Sequence, residues 1–172
     1  INGTRGNSSK NYSSSREQKI ELKSGSKTII EFDWNFASSA LNLDEIYVQK
    51  QTSSSAGLGY LLIRGISAEK TILVNKINAS SDKICIKDEE VDSINELSND
   101  CTGTNEILIG CPRTGSDFSC SLEENGTYFK ISGLKNSVAR EFLDDCIPNW
   151  SCTSWSSCSN DQQIRTCTDS NS

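Results

Sequence analysis

The stretch KTIIEFDWNF (27–36) places Ile30, Phe32, Trp34 and Phe36 in alternation with Glu31, Asp33 and Asn35. A period of two puts the large apolar side chains on one face of an extended strand and the polar ones on the other; on a helix it would scatter them around the axis. Shorter strand candidates follow: LDEIYVQK (43–50), GYLLIRGI (59–66), KTILVNKI (70–77), KICIK (83–87), EILIG (106–110), DFSCSL (117–122) and TYFKIS (127–132). Turn-rich segments such as QTSSSAGLG, NASSD and EENG separate them. Short strands at this spacing, without helical runs for crossovers, predict an all-β chain: an antiparallel β-sandwich over 17–143, followed by a small disulfide-stapled module. After GLKNSVAREFLDD the alternation ends.

Ahead of the strands, INGTRGNSSKNYSSSR (1–16) is polar and without period, and reads as a flexible arm. The chain starts without methionine, so it reads as a processed protein or a fragment of something longer. Six N-glycosylation sequons begin at Asn2, Asn7, Asn11, Asn78, Asn125 and Asn149. Eight cysteines and no histidine favour disulfides over metal or redox chemistry, and no tight CxxC pair suggests zinc. Cysteines and sequons together place the chain outside the cell or on its surface.

The segment KDEEVDSINELSNDCTGTNE (87–106) is acidic and carries a Ser93-x-x-Glu96 capping box able to start one helical turn. Asp88, Glu89, Glu90, Asp92, Glu96 and Asp100 are calcium-type donors, but their spacing is not that of an EF-hand. The reading is a solvated acidic loop, with no metal assigned. Cys85 and Cys101 flank this loop, and Cys111 and Cys120 flank PRTGSDFS, which reads as a small stapled hairpin or loop. These pairings rest on proximity; four cysteines allow three connectivities.

Residues 144–172 form the module. From Cys146 onward it holds Cys146, Cys152, Cys158 and Cys167, both Trp150 and Trp155, and only Ile147 and Ile164 as aliphatics. Such a segment cannot build an apolar core and must rely on cystines. Two short antiparallel segments would bring Arg165 over the indole of Trp155, so that Trp, Arg and cystine layers take the place of a core. The run WSCTSWSSCSNDQQIRTC (150–167) resembles part of a thrombospondin type 1 repeat, on Trp155, Ser156, Cys158, Ser159, Arg165 and Cys167, with Trp150 as a looser second tryptophan of the stack. It departs from that family in the five-residue tryptophan spacing and the missing Thr-Cys-Gly. Upstream, FDWNF, LDEIYVQKQ, GYLLIRGIS, KTILVNKIN and YFKISGLKNS look like a β-domain of secreted surface proteins of small-genome archaea, which implies a modular extracellular protein and no particular chemistry.

Function classes narrow accordingly. A net charge of -6 disfavours nucleic acid, which binds by phosphate neutralisation. No apolar run approaches the ~20 residues of a membrane span. Without histidine or a G-x-S-x-G elbow, no catalytic residue is assigned. The S-x-x-K matches at Ser24/Lys27, Ser67/Lys70, Ser80/Lys83 and Ser132/Lys135 are expected in so serine-rich a chain. The pairs Glu123/Glu124 and Asp144/Asp145 read as solvated turn charges. Tyr12, Tyr47, Tyr60 and Tyr128 are candidates for sugar stacking. The expected function is a glycosylated, cofactor-free structural or adhesion protein whose partners are copies of itself, glycans or another cell; the alternative is a glycan-binding module of a larger adhesin. In the first case EQKIELKS (17–24), with Ile20 and Leu22 on one face, would be a strand donated to a neighbour.

Overall fold

The structure is a computed structural model that describes residues 17–51, 57–114, 118–143 and 150–169. In chain order the strands are β1 (Glu17–Ser24), β2 (Lys27–Asn35), β3 (Tyr47–Lys50), β4 (Tyr60–Arg64), β5 (Lys70–Asn75), β6 (Lys83–Lys87) and β7 (Glu106–Gly110). Then come β8 (Arg113–Thr114), β9 (Ser119–Glu123), β10 (Tyr128–Leu134), β11 (Ser137–Phe142), β12 (Trp150–Cys152) and β13 (Cys167–Asp169). A six-stranded sheet runs β1-β2-β5-β10-β9-β8, a five-stranded sheet β3-β4-β11-β6-β7, and β12 pairs with β13. Every pairing is antiparallel. The arrangement is the sandwich that the alternating pattern predicts.

The core follows from register. Ile30 lies opposite Ile72, which lies opposite Ile131, and all three are fully buried. They share one cluster with Leu61, Ile63, Ile84, Ile86 and Ala139 of the five-stranded sheet. Burial of each large aliphatic stabilises the fold by ~1.5–3 kcal/mol. The adjacent isoleucines of KTIIEF break the alternation, and a β-bulge absorbs the break: Leu22 faces Ile30 while Lys23 faces Thr28. Ile29 and Ile30 are both buried as a result.

One strand was not legible. β11 lies between β4 and β6 at the centre of its sheet, yet SVAREF does not alternate. Ser137 and Glu141 are polar residues at fully buried positions. Both faces of β11 are covered: Ala139 joins the main core, and Val138 a second cluster with Leu62, Cys85, Val91, Leu97 and Cys101.

That second cluster corrects the reading of 87–106 as a solvated loop. The charges face water, but Val91 and Leu97 pack onto the outer face of the five-stranded sheet, and Cys85–Cys101 fastens the segment there. Ser93 caps a single 3-10 turn, Ile94–Glu96, with both halves of the capping box formed. The hairpin expected between Cys111 and Cys120 is present as β8 and β9, with Arg113 opposite Cys120, and its cystine does more than staple it. Cys111 follows β7 in one sheet and Cys120 lies in β9 of the other, so this bond joins the two sheets where the chain crosses between them. Both sulfurs belong to the main core cluster.

Candidate functional site

Two surfaces concentrate the residues singled out by sequence: one end of the sandwich and the hairpin 150–169. At the sandwich end, the Glu141 carboxylate accepts hydrogen bonds from the backbone N–H groups of Gly59 (2.9 Å), Ile77 (3.0 Å) and Asn78 (2.9 Å). A buried carboxylate is tolerated when its lone pairs are taken, and three N–H donors take them. Gly59 is required by proximity, because a Cβ there would lie 1.7 Å from the Asn75 carbonyl oxygen.

This clamp fixes the backbone that presents Asn78. The Asn78 Oδ1 accepts from the Ser80 N–H (3.0 Å) and the Ser80 hydroxyl (2.7 Å), so the first and third sequon residues touch. Asn125 is exposed in the β9–β10 turn, at φ 56° between Glu124 at 50° and Gly126 at 83°. Asparagine tolerates that left-handed conformation better than most residues. The Lys76 N–H donates to the Thr127 carbonyl (2.8 Å), tying the two sequon segments together at one end of the sandwich. Asn2, Asn7, Asn11 and Asn149 lie outside the described residues, as do Tyr12, Cys146, Asp144 and Asp145.

In the hairpin, Cys152 and Cys167 are paired in register and bonded. Further along, Thr153 N–H donates to the Thr166 carbonyl and Ser156 N–H to the Ile164 carbonyl, both at 2.9 Å. Ser159 and Gln162 exchange hydrogen bonds around Asn160 and Asp161, whose φ values of 52° and 59° suit a two-residue hairpin turn. The Arg165 guanidinium sits 4.6 Å from the Trp155 ring centroid. Trp150 stands elsewhere, opposite Asp169, so the stack is Trp155 with Arg165 rather than a pair of tryptophans. Cys158 is exposed and free among the described residues, while Cys146, the eighth cysteine, lies outside them. From Trp150 to Thr168 every residue is exposed, as the shortage of aliphatics implies.

The remaining candidates resolve into structural contacts. Arg64 lies over the Tyr47 ring at 4.7 Å and pairs with Asp92; Lys27 lies over the Tyr128 ring at 4.8 Å and pairs with Glu124. Tyr60 accepts at its hydroxyl from the Gln49 amide (3.0 Å). These three tyrosines are therefore engaged by their own chain rather than forming a bare platform. Glu123 meets Lys130 at 3.5 Å.

In the acidic segment, Asp88 accepts from the N–H groups of Lys135 and Asn136, Glu90 from Gly65 N–H, and Glu96 from Asp92 and Ser93 N–H. Glu106 accepts from Ser98 N–H and hydroxyl and from Gly103 N–H. Burial pushes the Glu106 carboxyl up, but those hydrogen bonds and Lys87 outweigh it and hold the group below its ordinary value. Cys85, Cys101 and Glu106 are close enough to suggest a metal set, but both sulfurs are in one disulfide.

Sequence reasoning missed Lys70, which is buried with its amine donating to the carbonyls of Ala68 and Lys135. Desolvation lowers it to about 8, against the opposing pull of Asp88 and Glu90. Its only signal was membership of an S-x-x-K match, and its carbonyl partners explain it as a tie between turns. No family model, curated protein or solved structure matches the chain.

Proposed function

We propose that this chain is an extracellular, glycosylated structural or adhesion protein of a cell surface or filament, acting through self-assembly or cell contact. The observation that carries the reading is the placement of the cystines. One joins the two sheets, one fastens the 88–105 segment to a sheet face, and one holds a hairpin whose described residues are nearly all exposed. Bonds used in this way belong to a chain that matures in an oxidising compartment.

The sequons support the same reading: Asn78 and Asn125 sit in neighbouring turns, where glycans would crowd one end of the sandwich. The Trp155–Arg165 layer and the cystine ladder support kinship of the 150–167 hairpin with thrombospondin type 1 repeats. Glycan binding is the weaker reading, since Tyr47 and Tyr128 already carry cations over their rings.

Peptide mass spectrometry of the native protein, unreduced and reduced, tests the proposal. The expected result is linkage of Cys85 to Cys101, Cys111 to Cys120 and Cys152 to Cys167, with glycan on Asn78 and Asn125. Free thiols throughout and bare asparagines would overturn it.

A further inference from the structure

The edge strand β1 carries a charge pattern that fits a second copy of itself. β1 is not a free donor segment: it forms a hairpin with β2 of its own chain, turning at Gly25, and every residue from Glu17 to Ser24 is paired there. Its other edge carries no partner among the described residues, and it is the longest of the four edge strands of the two large sheets. Glu17, Lys19, Glu21 and Lys23 are exposed, while Gln18, Ile20, Leu22 and Ser24 are half-buried. Ile20 and Leu22 pack against the main core but leave its rim open.

We propose that two copies of the chain associate through antiparallel β1–β1 pairing centred on Ile20, making one continuous sheet across a two-fold axis. This rests on the self-assembly reading above and names its interface. In that register Glu17 meets Lys23 of the second copy and Lys19 meets Glu21, so all four exposed positions face an opposite charge. Ile20 meets Ile20, and Gln18 meets Leu22, closing the apolar rim from both sides.

The neighbouring registers do not work. Centring on Lys19 opposes Lys19 to Lys19 and Glu17 to Glu21; centring on Glu21 opposes Glu21 to Glu21 and Lys19 to Lys23. A slip by a single residue turns the second copy's apolar face to the wrong side of the sheet. Charged edge strands ordinarily deter pairing; here the charges select one partner and one register. The edges β3 and β7 offer no such match, since β3 carries only Lys50 and β7 only Glu106 as charged residues. An isologous contact of this kind closes at two copies, so a longer assembly would need a further contact elsewhere.

The test is sedimentation velocity of the full chain over a concentration series, with K19E and E21K each alone and then mixed. Either variant alone places two like-charge pairs at its own interface, and the dimer dissociation constant is expected to rise about tenfold. Mixed in equal amounts, K19E opposite E21K restores an opposite charge at every position, and the dimer is expected to return. That return also shows both variants to be folded. A wild-type dimer indifferent to both substitutions would overturn the β1 interface while leaving self-assembly standing. A wild type that stays monomeric up to about 1 mM would overturn the interface and self-assembly together.

Discussion

The sandwich and the terminal hairpin use the same covalent device under opposite conditions. Cys85–Cys101 spans 16 residues and Cys152–Cys167 spans 15, so the two closures restrict the unfolded chain by similar amounts, about 3 kcal/mol each. The first is added to a core of fully buried isoleucines, leucines and phenylalanine. The second acts where Trp150 is 61%, Trp155 56% and Ile164 71% exposed. A cystine is a supplement where apolar burial already holds the fold, and it is nearly the whole of the order where burial is missing.

The largest expected effect tests whether the sandwich depends on its buried polar clamp as much as on its core. Replacing Glu141 by alanine removes the acceptor of the buried Gly59 N–H and of the half-buried Ile77 and Asn78 N–H groups. The cost is expected to be about 3–5 kcal/mol in urea unfolding of the sandwich. The hairpin, followed by the fluorescence of Trp150 and Trp155 against a W34F background, should not respond. A loss below about 1 kcal/mol would mean that water or rearrangement satisfies those donors and that the clamp is dispensable.

Next come the two cystines, compared directly. C85A/C101A should lower sandwich stability by about 3 kcal/mol and raise hydrogen exchange across 88–105, with β2, β5 and β10 still protected. C152S/C167S should leave sandwich unfolding unchanged and abolish slow exchange throughout 150–169. Equal survival of both segments would show that the hairpin has a source of order besides its cystine, and the contrast would fail.

Much of this division was legible in sequence, for physical reasons that also mark where legibility stopped. Alternation in KTIIEFDWNF marked a strand because its partners bury one face only, and the lack of aliphatics after Cys146 marked a coreless tail. β11 escaped because it is covered on both faces and has a carboxylate at a buried position, satisfied by N–H groups from residues 59, 77 and 78 that no local pattern reveals. The 88–105 segment was read by its charges, which do face water. Val91, Ile94 and Leu97 recur every third residue, but the six acidic residues from Asp88 to Asp100 drew the reading, and the apolar cap has its meaning only once the sheet beneath it is in place. Cys111–Cys120 was correct both as a proximity pair and as the staple of a hairpin, but its role in joining the sheets was not legible, because nothing local shows that the chain changes sheets after β7.

Buried Lys70 gives a pH-dependent version of the same contrast. Its pKa is lowered by desolvation to about 8 in the folded protein against 10.5 as the ordinary value. Between those values the unfolded chain holds more protons at this site than the folded one, so stability from this group rises with pH and levels off above 10.5. Relative to K70M, wild-type unfolding free energy should therefore climb from about pH 8 to pH 10.5. A flat difference across that window would show that the amine reaches solvent. Hairpin order, which contains no such buried group among its described residues, should track neither variant in this range.

The smallest expected effect tests the one non-covalent layer of the hairpin. Arg165 over Trp155 is an exposed cation–π contact, worth ~0.5–1 kcal/mol. In the sandwich a loss of that size would be hard to notice beneath the core. In the hairpin it is a large share of what remains once the cystine has closed the loop, because Ile164 and both tryptophans bury little area. R165A should shift the Trp155 indole resonance toward its random-coil position and raise exchange at Ser156 and Ile164, while Cys152–Cys167 stays intact. R165K, which keeps the charge but loses the planar stacking surface, should fall between R165A and wild type. If R165A left the indole resonance unmoved, the cystine and the backbone ladder would account for the hairpin alone, and the tail would be simpler than its resemblance to a layered repeat implies.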